Sequence, residues 1–115
     1  MISFTPSLRI HVCLGSVDLR GSFDRLSAIV KSTLQADPLS GHLFVFGNAR
    51  RNRLKVLWWD GSGLCLLYKR LNRAIFKMPA AASSSDAVQI DFAALRDLMA
   101  GVAQEPKGSR NRKIH

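Results

Sequence analysis

Apolar and polar residues alternate at the start of the chain. Leu8, Ile10, Val12 and Leu14 interleave with Arg9, His11 and Cys13, a period of two that puts the first set on one face of a β-strand. The turn-forming "GSVDLRGS" follows, and the period changes. Phe23, Leu26, Ile29, Val30 and Leu34 recur at helical spacing, so the pattern predicts an amphipathic helix over 23–36, with Ser22 as its N-cap. Pro38 ends it by pushing the preceding residue out of helical geometry. "HLFVF" (42–46) is a short apolar strand.

Two longer β-favouring runs come next, "RLKVLWW" and "LCLLYKRL", separated by "DGSG". Asp-Gly between such runs predicts a hairpin. A two-residue turn at Asp60–Gly61 and a four-residue loop from Asp60 to Gly63, which sets Trp59 opposite Leu64, both fit the sequence. In either register Leu54, Val56 and Trp58 share one face, and Lys55, Leu57 and Trp59 the other. With both faces mostly apolar, the hairpin is expected to be central to the sheet, one Trp in the core and the other partly exposed. "RLNRAIFKMP" adds a turn and a short strand before Pro79, and "AAASSSDA" is a small-residue loop. "VQI" leads into a helix capped by Asp91, with the apolar stripe Phe92, Leu95, Leu98, Met99 and Val102 and an end at Gly101.

These elements describe an α+β fold: a mostly antiparallel sheet with a central hairpin and one amphipathic helix near each end of the chain. At 115 residues and 47% apolar content, the expectation is a single domain over 1–104. Residues 105–115, polar and basic after Pro106, read as a flexible tail. The cysteines, Cys13 and Cys65, have no partner spacing and argue against a disulfide framework. No leader or spanning segment is visible, so the expectation is a cytoplasmic protein without membrane contact.

Charge changes this picture. The net formal charge is +9, and it is concentrated. Residues 1–49 carry four bases and three acids, whereas residues 50–77 carry eight bases and one acid, Asp60. A field focused in this way attracts a polyanion. Antiparallel pairing brings Arg50, Arg51 and Arg53, before the first hairpin strand, to the same end as Lys69, Arg70, Arg73 and Lys77, at and beyond the second. With Lys55 these are the candidate DNA-binding residues, since arginine suits bidentate contact with phosphate. An acidic protein partner is the competing expectation. No helix-turn-helix or zinc-finger pattern is present to read bases.

Other chemistry has little to stand on. The candidate metal ligands His11, Cys13, His42 and Cys65 lack ligand-pair spacing, so neither metal nor cofactor is expected. Two-metal strand transfer needs clustered carboxylates. Here Glu105 is the only Glu, and Asp18, Asp60 and Asp91 fit a helix approach, a turn and a cap. No catalytic residue is assigned.

"VDLRGSFDRLSAIV", "SGHLFVF" and "RLKVLWWDGSGLCLLYKRL" together resemble the small accessory protein encoded beside the transposase in bacterial insertion sequences of the sixty-six class. That family is called Orf2-like or TnpB-type, and it is unrelated to the RNA-guided nuclease sharing the label. The resemblance spans about residues 8–102. The run from Arg53 to Asp60 with Gly61 and Gly63, then Lys69, Arg70 and Leu71, carries most of it. Leu19, Arg20, Gly21 and Ser22 depart from the family's Met-Arg-Lys-Gly, and Asn72, Arg73 and Ala74 from its Glu-x-Gly, so nothing is carried over at those positions. The resemblance implies a non-enzymatic protein that supports transposition by binding DNA or by docking on the element's transposase.

Overall fold

Every residue of Leu43–Gly47 is buried, as a strand covered on both faces requires. In the computed structural model, which describes residues 7–80 and 85–103, this strand is the middle of a five-stranded sheet. In chain order the elements are β1 (Ile10–Ser16), α1 (Phe23–Ser32), β2 (Leu43–Gly47), β3 (Arg53–Trp59), β4 (Leu64–Arg70), β5 (Ala74–Ile75), β6 (Ala87–Ile90), α2 (Phe92–Ala100) and β7 (Val102–Ala103). The sheet runs β4-β3-β2-β1-β6, and β5 pairs with β7 in a separate two-stranded sheet. Only β1 and β2 pair in parallel, joined across α1, while the other three pairs of the large sheet are antiparallel. The α+β class and the mostly antiparallel sheet are as expected. Of the hairpin, β3 is an inner strand and β4 forms the sheet's edge.

Side-chain alternation divides the core in two. Ile10, Val12, Leu43, Val45, Leu54 and Val56 meet Leu95 and Leu98 of α2, together with Phe76. On the opposite face Cys13, Phe44, Phe46 and Leu57 meet Leu26 and Val30 of α1. The sheet thus lies between the two helices. β1 does not have a single apolar face, because Cys13 on its second face is buried under α1, where a thiol packs as a small hydrophobe. The α1 helix stops at Ser32, short of the predicted 36. Gln35 takes a left-handed φ of 51°, and the Ala36 N–H reaches back to the Val30 carbonyl. Leu34 and Ala36 still pack on the α1-side cluster, so the apolar spacing outlasts the helix.

Ser22 occupies the predicted N-cap of α1 without a side-chain cap bond. The Asp91 carboxylate does accept from the Ala94 N–H, at 2.8 Å. The stripe of α2 is narrower than predicted: Leu95 and Leu98 are buried, but Phe92 is 51% exposed and Val102 44%, the latter lying in β7. Gly101 turns the chain there with φ 75°. A Cβ at that position would meet the Ile75 carbonyl oxygen of β5 at 3.0 Å as well as the Leu71 side chain, so glycine suits the approach of β7 to β5. The expected tail at 105–115 lies outside the described residues. Among the described residues no helix is long and apolar enough to cross a membrane.

The hairpin takes the four-residue register, with Trp59 opposite Leu64. Both Trp58 and Trp59 are half-buried, and Trp58 is the one packed against the α2-side core. Asp60 organises the loop: its Oδ1 accepts from the Ser62 and Gly63 N–H groups and from the Ser62 hydroxyl, at 2.8–3.0 Å. Those bonds, the Ser62 N–H first, hold its carboxyl well below the usual carboxylate range. Gly61 has φ 100°.

One buried cation ties the hairpin to the α1 approach. Lys55 is only 8% exposed, and its Nζ donates to the carbonyls of Leu19 at 2.6 Å and Gly21 at 2.9 Å. The Tyr68 ring, opposite in the hairpin register, lies 5.1 Å from the same Nζ. Two carbonyls and one aromatic face thus engage the three donors of an ammonium.

Three outcomes follow from this architecture. Gly61→Val should lower the melting temperature by several degrees, because a side-chain-bearing residue at positive φ costs about 1–2 kcal/mol; an unchanged melt would contradict the turn. Lys55→Met should destabilise by about 1–3 kcal/mol for each carbonyl left unpaired, and hydrogen exchange should rise first over residues 17–22. For Asp60, a folded pKa below the unfolded value of about 3.9 stabilises the fold above that pH and loses the contribution as pH falls through the folded value. Asp60→Asn keeps an acceptor but cannot ionise. The gap in stability between wild type and Asp60→Asn should therefore shrink below about pH 4, as followed by denaturant titration.

Candidate nucleic-acid interface

The open end of the hairpin is built by two turns. Asn48 shapes the first: its Oδ1 accepts from the Asn52 and Arg53 N–H groups at 3.1 and 3.0 Å, and its Nδ2 donates to Asn52 Oδ1. The second turn is bonded to the first, since Leu71 N–H donates to the Asn52 carbonyl and Phe76 N–H to that of Arg51. Arg51 and Arg73 both adopt left-handed φ, 59° and 62°. The two basic segments are therefore fastened side by side through their backbones.

The eight candidates divide between exposed and inward-facing positions. Arg50, Arg53, Arg70 and Arg73 are exposed, and Arg53 stands directly opposite Arg70 across the hairpin. Neither these four nor Lys69 and Lys77 has a carboxylate partner among the described residues; the ion pairs found there are Arg20–Asp18 and Arg96–Asp97. Arg51 is half-buried and turns inward, donating from Nη2 to the Leu14 carbonyl at 3.3 Å. That carbonyl belongs to the irregular stretch of β1 between Val12 and Ser16, where pairing with β2 slips. Lys55 is buried as described. Lys69 lies opposite Leu54, on the α2 face, and Lys77 lines a separate, mostly apolar cleft beside Ile90, Asp97 and Val102. The exposed arginine cluster and these four cations are not one surface.

The fold adds two residues outside those eight. Tyr68 shares the α1 face with Arg53 and Arg70 and is 51% exposed. Arg20 sits in the loop after β1. Together with Arg50, Arg53 and Asp18 they line a cleft of about 460 Å³ beyond the C-terminal ends of the parallel strands β1 and β2. The crevice outside the carboxyl ends of parallel strands is a recurrent ligand position. Asp18 receives Arg20 through Nε at 3.0 Å and Nη2 at 2.7 Å, and through the Arg20 N–H at 3.0 Å. The Arg20 guanidinium holds the Asp18 carboxyl well below its ordinary range. In the sequence Arg20 is hidden in a nearly neutral half. The signal for Tyr68 is an aromatic immediately before Lys69-Arg70 at a strand end.

The candidate metal ligands do not converge. His11 stacks on Phe44 and meets His42 edge-on, with ring centroids 5.2 and 5.9 Å apart, and His42 Nδ1 accepts from the Arg9 N–H. Burial, then His42, lowers the His11 pKa. Burial raises that of the Cys13 thiol. Cys65, paired with Trp58, is on the other face of the sheet. No group of three or more metal-ligating side chains occurs among the described residues.

The chain has relatives among known proteins. The uncharacterized protein y4hO of Sinorhizobium fredii (strain NBRC 101917 / NGR234) is 37% identical over 102 residues, covering 89% of this chain and 87% of its own. The uncharacterized protein y4jC of the same strain is 43% identical over 79 residues, covering 69% and 68%. No solved structure gives a significant match. Residues 8–108 match the family described as IS66 Orf2 like protein, and with most of the chain inside that match, the protein belongs to this family of insertion-sequence proteins.

Proposed function

We propose that the protein is a non-catalytic accessory factor of transposition, acting in the cytoplasm and binding DNA through the arginines at the open end of its hairpin. The observation that carries the reading is the Arg53–Arg70 pair. Like charges directly opposite on neighbouring strands are destabilising, and here they lie beside Arg50 and Arg73 with no carboxylate partner among the described residues. A fold keeps such a cluster at some cost to its own stability, and a phosphate backbone offsets that cost. The family supports the setting, and the carboxylates support the absence of strand-cutting chemistry. Asp18 is engaged by Arg20, Asp60 by its own turn and Asp91 by the α2 N-terminus. The competing partner, an acidic surface of the element's transposase, uses the same arginines and is separated from DNA by direct binding.

The test is a salt series with duplex DNA. Each phosphate neutralised contributes about −0.9 to the slope of log affinity against log salt. Changing Arg50, Arg53 and Arg70 together to Ala should flatten that slope by about two to three units. A second readout moves the opposite way. Arg70→Glu creates an opposite-charge pair with Arg53, so it should raise the melting temperature slightly while weakening DNA binding. Absence of wild-type binding at low salt, or an unchanged slope in the triple variant, would refute the reading and leave the acidic protein partner.

A further inference from the structure

The cleft above the hairpin's open end is more specific than a basic surface. Phosphate contact alone needs exposed cations on a convex or flat rim. Here Arg20, Arg50 and Arg53 converge on a concavity of about 460 Å³ whose wall includes Tyr68. That size lies within the range of about 300–1,000 Å³ typical of small-molecule sites.

Tyr68 is the unusual part. Deeper on the α1 face of the sheet Phe44, Phe46 and Leu57 are fully buried, whereas this ring is left half exposed. It is not loose, because the Lys55 Nζ lies over it at 5.1 Å while held by two loop carbonyls. A ring fixed in this way loses little freedom when a ligand stacks on it. The adjacent Lys55 has no carboxylate partner among the described residues and adds positive potential beside the cleft. Among the described residues Asp18 is the one acid in the lining, and Arg20 already engages it through two nitrogens and its own N–H.

We propose that this cleft takes one unpaired nucleotide of a DNA strand, its base stacked on Tyr68 and its phosphate held by Arg50 and Arg53 with Arg20 at the rim. The inference rests on the DNA-binding reading above and narrows it. Within a duplex both faces of a base are covered by its neighbours, so only a single-stranded or extruded base can offer a face to an aromatic ring. A duplex reaches the exposed arginines from outside but does not enter. The protein therefore favours strands, frayed ends or junctions over intact duplex. It does so without sequence preference, because every base has a face to stack.

The experiment measures dissociation constants at one fixed salt concentration for a labelled oligothymidylate strand and for a blunt duplex of equal length. Circular dichroism melts confirm that each variant folds. Wild type should bind the strand more tightly. Tyr68→Leu should lose about fivefold to a hundredfold on the strand, the range for removal of one base–aromatic stack, and nothing on the duplex. Tyr68→Phe should retain both affinities. An iododeoxyuridine-substituted strand should photocrosslink at Tyr68, as mapped by peptide mass spectrometry. Equal strand binding by wild type and Tyr68→Leu, or crosslinks confined to other residues, overturns the inference while leaving the duplex-binding reading in place. If wild type binds neither strand nor duplex, both fall together.

Discussion

The Lys55 ammonium joins two walls of the cleft. A lysine in the second strand of a sheet, under a helix approach, has to find acceptors or leave. The carbonyls of Leu19 and Gly21 supply them, and in doing so fix the only connection between the parallel strand β1 and α1 over the hairpin. Arg20 lies between those two anchored residues. Its guanidinium is therefore placed by a bond made on each side of it, while Asp18 holds its head. Tyr68 is placed by the same ammonium from the other side. One charge, pointed inward, arranges two groups that point outward.

Much of the fold is legible in the sequence because its signals are local. The hairpin is announced by Asp-Gly, the second helix by Asp91 and the spacing of Leu95 and Leu98, and the central strand by an uninterrupted apolar run. What local pattern does not carry is which strands become neighbours. β1 and β2 are separated by a helix and pair in parallel, and β6 then closes on the far side of β1. Neither fact leaves a mark within either strand. Cys13 counts as a break in the apolar alternation but packs as part of the α1-side core, which turns a one-faced strand into a two-faced one. Gln35 ends α1 by a backbone conformation that its side chain does not announce.

The candidate site is legible only in part, for a related reason. Charge density along the chain isolates 50–77 as the basic segment, and antiparallel pairing gathers its two ends. A formal charge nevertheless says nothing of which way a side chain points. Lys55 and Arg51 serve backbone carbonyls, Lys69 takes the opposite face, and Lys77 travels past the sheet to a different cleft. Arg20 reaches the site from a segment whose bases and acids nearly cancel. Tyr68 carries no charge at all, so a charge count passes over it, and the strand register is what sets its face.

The two inward cations also explain how so dense a cluster of outward ones is tolerated. Where β1 slips against β2, the Leu14 carbonyl is left for a side chain to satisfy, and the Arg51 guanidinium does so at the cost of one buried nitrogen without a partner. That contact stitches the turn carrying Arg50 and Arg53 to the neighbouring strand, just as the Leu71 and Phe76 N–H bonds stitch it to the turn carrying Arg73. Mutual repulsion among Arg50, Arg53, Arg70 and Arg73 pushes these segments apart. The backbone bonds and the two buried cations resist it with directional hydrogen bonds that salt does not screen. The repulsion itself acts through solvent and weakens within roughly a Debye length of 8–10 Å near physiological salt. The cluster is thus held in place by interactions that outlast the forces opposing it, which is the arrangement needed to present a rigid cationic face to a polyanion.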